Sequence, residues 1–278
     1  MGRQLTVKDI QDESLKILLD VDDFCRKHDI KYSLSGGTLL GAVRHHGFIP
    51  WDDDVDIFML RPDYNRFLAT YTSDKYHLLS METDKDYFLP YAHVVDMDRT
   101  VIGFIHFPFY RKPCGIKIDI FPVDSVSDNP EEYDAQFQRC LDYGEKFRYA
   151  RMARWRFSWY KSIRGYLRLL MKKIKTLNGH TVYYWCKKID DNAQQHPFGS
   201  TNYLGLTCLP LARTKQRYPA SVFTHTVQLP FEGHQLCAMN GYETVLKAAF
   251  GPDYMTPPPP EEQCPVHDME IFYKEKSV

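Results

Sequence analysis

The sequence predicts an α/β (α+β) protein, a small mixed sheet flanked by helices and carrying a mainly helical middle lobe. Three patterns lead there. Apolar residues at period two, as in Val55/Ile57 and Ile116/Ile118/Ile120, alternate with helical-period segments through the first 128 residues. From Glu131 the period turns helical, and after an interruption at Asn178-Gly179 it resumes over Tyr183 to Asn192. Between them in importance stands Tyr32 to Met59, where a strand meets a glycine pair, a helix, and a strand loaded with carboxylates.

In order, Thr6 caps a helix to about His28, with Ile10, Ile17, Val21 and Phe24 at helical spacing. Ile30 to Ser35 reads as the first strand and Thr38 to His45 as the next helix. Gly36-Gly37 lets the backbone approach a ligand closely, and the helix start there aims N–H groups at an anion. Arg44 and His45 close that helix, where they complement its C-terminus or contact a phosphate; for His46 the first reading is preferred. After Pro50-Trp51 the chain re-enters a strand in which Asp54 and Asp56 share a face while Val55 and Ile57 point into a core. Extended backwards, that strand puts Asp52 on the same face and turns Asp53 away.

Two carboxylates so placed repel unless a cation lies between them, and hard oxygen ligands imply Mg²⁺, with Mn²⁺ as a substitute. A calcium loop is excluded, because its sixth position is Ile57 rather than Gly and its twelfth Asp63 rather than Glu. A solvated acidic turn fits poorly beside Val55, Ile57, Phe58 and Met59.

Pro62 to Tyr71 reads as a helix; Tyr76 to Ser80, Tyr91 to Asp96, Thr100 to Phe107 and Ile116 to Phe121 read as strands, the last with Lys117, Asp119 and Phe121 on one face. Asn129-Pro130 turns the chain into a helix over Glu131 to Arg148. Next, Met152, Trp155, Trp159, Ile163, Tyr166, Leu170 and Ile174 form one apolar stripe opposite Arg154, Lys161, Arg164, Arg168, Lys172 and Lys175. Tyr183 to Asn192 is a further helix. Val222 to Val227 and Gln235 to Ala238 are expected strands about the turn Phe231-Glu232-Gly233, and Gly241 to Phe250 a final helix with Tyr242, Val245, Leu246 and Ala249 inward. The domain reading is a core over 1–128, a helical basic lobe over 129–195, and a segment over 196–278 that completes the fold.

A chain of 278 residues with 44% hydrophobic content buries a substantial core, which excludes disordered and fibrous classes. Seven cysteines, odd in number and without a Cys-x-x-Cys pair, argue against a disulfide framework or zinc knuckle and for a reducing compartment. No apolar stretch approaches the roughly 20 residues of a spanning helix, so the expectation is a cytoplasmic protein. Net charge is −1, yet residues 146–175 hold eleven Lys or Arg and no acid, leaving the remainder at −12. Two readings of that segment stay open: a solvated basic helix face, favoured by frequency, or a peripheral contact with anionic membrane or an anionic acceptor. No nucleic-acid partner is expected.

The central stretch resembles the LicD/fukutin family of phosphotransferases, through Gly36-Gly37-Thr38, Arg44-His45, Phe48-Ile49-Pro50-Trp51-Asp52-Asp53-Asp54 and Asp56. Similar too are Asp119-Ile120-Phe121-Pro122, Phe231-Glu232-Gly233, Phe250 to Met255, and His267; the middle third shows no resemblance. This implies a nucleotidyltransferase-type fold in which Asp54, Asp56 and Asp119 bind metal and are catalytic, Asp119 as third ligand and general base. Gly36, Gly37, Thr38, Arg44 and Asp52 would then bind substrate. The implied reaction moves a phospho-alcohol, typically phosphocholine from CDP-choline, to a hydroxyl of a glycan or lipid-linked glycan, releasing CMP. His93 departs from the family pattern, which places a basic residue there and often another near Val95. Trp51, Tyr91, Phe107 and Tyr110 are candidates for an aromatic cage around a quaternary ammonium. The rivals are a nucleotidyltransferase, an Asp-x-Asp glycosyltransferase, and a non-catalytic membrane- or glycan-binding protein on the same fold.

Overall fold

Helix α1 (Val7–Lys27) begins at a reciprocal cap, in which the Asp9 N–H donates to the Thr6 hydroxyl (3.2 Å) and the Thr6 N–H donates to the Asp9 carboxylate (2.8 Å). Its buried face, Ile10, Ile17, Leu18, Val21 and Cys25, packs on the central sheet. Each such aliphatic side chain contributes about 1.5–3 kcal/mol on full burial. The computed structural model describes residues 2–85, 87, 89–103, 114–151, 163–165, 167, 170–171, 174, 181–209, 215–265 and 270–275.

The sheet runs in the order β1 (Ser33–Leu34), β2 (Asp56–Leu60), β6 (Ile116–Val126), β4 (Ala92–Asp96), β3 (His77–Leu79). Strands β2 and β6 are parallel and their other neighbours antiparallel, giving the expected mixed sheet. Helices α2 (Gly36–His45) and α3 (Arg61–Thr70) flank β2. Strand β5 (Thr100–Gly103) pairs with β11 (Glu270–Tyr273), and β9 (Thr226–Phe231) forms a hairpin with β10 (His234–Met239) that reaches β1 through the Met239 N–H donated to Ser33 Oγ (2.9 Å).

Strand β6 continues past the expected end at Phe121. Its antiparallel pairing with β4 stops at Ile120 and its pairing with β7 (Tyr203–Gly205) starts at Asp124. Pro122, which lacks an N–H, falls in the gap between those partners, so the strand passes through it without losing a ladder bond there. Strand β8 (Arg217–Pro219) extends the edge beyond β7.

Helices α4 (Pro130–Arg151) and α5 (Val182–Ala193) enclose a second, smaller core of Met81, Tyr87, Leu89, Cys140, Phe147, Trp185, Cys186 and Ile189. Two reciprocal amide bonds clamp the pair: Gln136 Nε2 donates to the Asn192 carbonyl (2.7 Å) and Asn192 Nδ2 to the Gln136 carbonyl (3.0 Å). Arg61, at the start of α3, ties this lobe to the sheet with bonds to Asp124 (2.6 Å) and Asp190 (3.0 Å), all three side chains being buried.

Several boundaries differ from the sequence expectation. The first strand is only Ser33–Leu34, because its ladder with β2 is that short. The strand expected over 222–227 is instead a 3₁₀ turn, Ala220–Phe223, followed by β9. In α6 (Tyr242–Phe250), Val245 and Leu246 are buried but Ala249 is exposed. Ile163 and Ile174, expected on a core-facing stripe, are exposed. The remainder of that stripe apart from half-buried Leu170, together with residues 104–107 and His267, lies outside the described residues.

Candidate active site

Sheet register assembles the site. Asp56 of β2 lies opposite Asp119 of β6, and Asp119 lies opposite His93 of β4, so three polar side chains stand in one row across the sheet. His93 Nε2 is 3.0 Å from Asp119 Oδ1, and Lys117, two residues upstream on the same face, bonds the same oxygen. Burial pushes the Asp119 carboxyl up, but Lys117 and His93 outweigh it and hold the group well below the usual carboxylate range. Asp56 goes the other way: burial first, then Asp54 and Asp119, push its carboxyl well above that range, with Lys117 offsetting only part.

The acid strand starts later than its alternation suggests. Asp54 and Asp52 precede β2, and the Asp52 N–H donates to the Ile49 carbonyl (2.9 Å) in a turn. Because 52–55 is not strand, period-two alternation does not apply to Asp53. One carboxylate oxygen from each of Asp52, Asp53 and Asp54 lies within 4.8 Å of the others, so Asp53 joins the cluster instead of facing away.

Two residues hold this loop from opposite sides, and sequence reasoning assigned a role to neither. Buried Gln11 of α1 donates from Nε2 to the carbonyls of Ile49 (3.1 Å) and Asp52 (2.8 Å). At the tip of the β9–β10 hairpin, Glu232 accepts the Phe48 N–H on Oε1 (3.0 Å) and donates its own N–H to the His46 carbonyl (3.0 Å). A glutamine beside Ile10 on an apolar helix face is a legible signal of a buried polar contact. Lys117, on the same strand face as Asp119, was legible as well; the pairing of His93 with Asp119 depends on strand order, which the sequence does not display.

The glycine pair adjoins the acids. Gly36 has φ +53°, and a Cβ there would meet Asp56 Oδ2 at 2.8 Å; one on Gly37 would meet Asp52 Oδ2 at 2.5 Å. Ser35 makes no side-chain cap at the start of α2, and the helix N-terminal dipole bears on those carboxylates. The Thr38 hydroxyl is buried and accepts the Asp56 N–H (3.0 Å), which places it as a bolt between α2 and β2.

A cleft of about 580 Å³ opens here. It is lined by Gly37, Leu40 and Arg44 of α2, by Ile49, Trp51, Asp52, Asp54 and Asp56, and by residues of the segment from Phe250 to Pro258. Asp119 stands one strand further in. Arg44 Nη1 donates to the Tyr254 carbonyl (3.0 Å), which fixes that segment as a wall, and burial lowers the Arg44 pKa. Of the aromatic candidates, Trp51 lines the cleft, joined by Phe250 and Tyr254; Tyr91 packs on Phe121 (4.6 Å between rings), and Phe107 and Tyr110 lie outside the described residues.

Residues 29–151 match the model of the LicD/FKTN/FKRP nucleotidyltransferase domain. The chain is 32% identical over 279 aligned residues to the lipopolysaccharide cholinephosphotransferase LicD of Haemophilus influenzae, covering 97% of this chain and 99% of that protein. Shorter matches link it to uncharacterised proteins of Rickettsia typhi, 46% identical over 19% of this chain and 17% of that protein, and Rickettsia prowazekii, 48% identical over 17% and 18%. With similarity running nearly end to end, this chain belongs to the LicD/FKTN/FKRP family.

Proposed function

We propose that this phosphotransferase moves phosphocholine from CDP-choline to a hydroxyl of a cell-surface glycan precursor, free or lipid-linked, and releases CMP. One observation carries the reading: a single cleft is lined both by the acids Asp52, Asp54 and Asp56 and by Arg44, Trp51 and Tyr254. A diphosphate with a cation at one end matches both.

The acids suit Mg²⁺, or Mn²⁺ in its place. Every donor is a carboxylate oxygen, and burial together with the neighbouring Asp54 and Asp119 raises the Asp56 pKa. Asp54 and Asp56 would hold the metal, with Asp119 as the third ligand. When bound, it supplies Lewis-acid stabilisation of charge on the donor phosphates.

The protein's own groups do the rest. Arg44 and the N-terminus of α2 orient the diphosphate. Trp51, Phe250 and Tyr254 offer ring faces to a quaternary ammonium. Asp119, held ionised by Lys117 and His93, accepts a hydrogen bond from the incoming hydroxyl, and the proton leaves along that bond. Among the described residues no helix is long and apolar enough to cross a membrane, and we place the reaction in the cytoplasm at the inner membrane face.

Incubating the purified protein with CDP-choline, Mg²⁺ and an acceptor glycan should release CMP and add phosphocholine to the glycan. Chelation should stop both. Pyrophosphate in place of CMP would make the chain a nucleotidyltransferase, and metal binding without turnover would leave a binding protein.

A further inference from the structure

The described residues at 163–165, 167, 170–171 and 174 are all helical. Within them Ile163, Leu167, Met171 and Ile174 are 61%, 48%, 59% and 62% exposed. Spacings of four, four and three put all of them on one helix face. Only seven large apolar side chains are exposed among the described residues, and this stripe holds four of them. Half-buried Leu170 flanks the stripe beside Ile163 and Ile174, and half-buried Gly165 falls on the opposite side.

We propose that this helix docks on an anionic lipid surface, with its Ile163/Leu167/Met171/Ile174 stripe in the acyl boundary and its basic residues at the headgroups. Charge names the partner. Arg164, adjoining the stripe, is exposed, and residues 146–175 carry eleven Lys or Arg without an acid while the remainder carries −12. An anionic surface therefore attracts this segment and repels the rest, which fixes the orientation. An aliphatic stripe gains nothing against a phosphodiester backbone but is stabilised by hydrocarbon, so nucleic acid fits less well. The inference rests on these exposed residues and not on the reaction proposed above.

Flotation with vesicles of phosphatidylcholine alone, or with added phosphatidylglycerol, tests it on the full chain. Wild type should prefer the anionic vesicles by more than about tenfold. A triple variant Ile163→Ser, Leu167→Ser, Met171→Ser should lose that binding with every charge kept. Arg164→Glu, Arg168→Glu, Lys172→Glu should lose it with the stripe kept, and raising salt from about 0.1 M to 1 M should mimic this, since the Debye length falls from about 10 Å to 3 Å. Turnover with a soluble acceptor should persist in both variants, which separates failure of docking from failure of the catalytic reading. Equal binding to the two vesicle types would overturn the proposal, as would either variant binding like wild type. So would light scattering that shows a wild-type dimer dissociated by the serine variant with no vesicle binding, because the stripe would then face a second copy.

Discussion

Gln11→Met tests how the acid loop is held. Methionine nearly matches glutamine in length but removes both Nε2 donors, so the carbonyls of Ile49 and Asp52 lose their buried partner. Each hydrogen bond contributes about 0.5–1.5 kcal/mol net, and leaving a buried acceptor unmet costs about 1–3 kcal/mol. Partial relaxation of the loop brings the expected total to about 2–4 kcal/mol, or a fall in melting temperature on the order of 5–15 °C. Both bonds end on the turn that carries Asp52, so Mg²⁺-induced stabilisation and transfer should fall beyond what the lost stability explains. Urea unfolding gives the first quantity; thermal shift across a Mg²⁺ series gives the second. A variant within about 0.5 kcal/mol of wild type, with its Mg²⁺ response intact, would refute the reasoning that these two bonds position the acids.

Asp56→Asn should raise metal-free stability while removing transfer and the Mg²⁺ response, since burial, Asp54 and Asp119 all disfavour the charge. The sign is checkable by pH: a carboxyl raised in the folded state loses its stabilising share as pH rises above the ordinary carboxylate range, and the asparagine variant should lack that slope. Arg61→Met leaves Asp124 and Asp190 buried without their cation and should cost about 3–5 kcal/mol, much of it recovered when both acids are also made asparagine; a neutral single variant in urea would contradict this. Gly36→Ala should cost more than Gly233→Ala. Both sit at positive φ, but the new Cβ at 36 meets Asp56 Oδ2 at 2.8 Å while nothing lies within 4 Å at 233, so equal melting temperatures would remove the crowding argument.

What could be read from sequence was whatever acts locally. The Thr6–Asp9 cap, the period of α1 and the glycine-opened start of α2 are decided within a few residues, and each forms close to where it was expected. Strand order is decided by partners far away. Asp56, Asp119 and His93 therefore share a row that no spacing reveals, and β7, β8 and β11, at three or four residues each, are too short to show a period. The strand expected to end at Phe121 runs on to Val126, because a change of partner along β6 makes room for Pro122. Asp53 misled because alternation was extended into 52–55, which follows the turn at Pro50-Trp51 and is not strand. Ala249 fell on the expected inner side of α6, yet the last turn of that helix is exposed.

The two cations near the acids have different partners. Lys117 bonds Asp119 directly, so the innermost acid is compensated by the protein itself. Arg44 lines the same cavity as Asp52, Asp54 and Asp56, yet its guanidinium bonds the carbonyls of Tyr254 and Thr256, and burial rather than any carboxylate sets its pKa. Had Arg44 closed onto the acids, each would have neutralised the other and the cleft would attract neither a metal nor a phosphate. Held apart by the C-terminal wall, the arginine keeps its charge available to an anion while Asp56 remains short of a cation. On the function proposed above, a metal-bound diphosphate would relieve both costs in one binding event, which neither component alone would do.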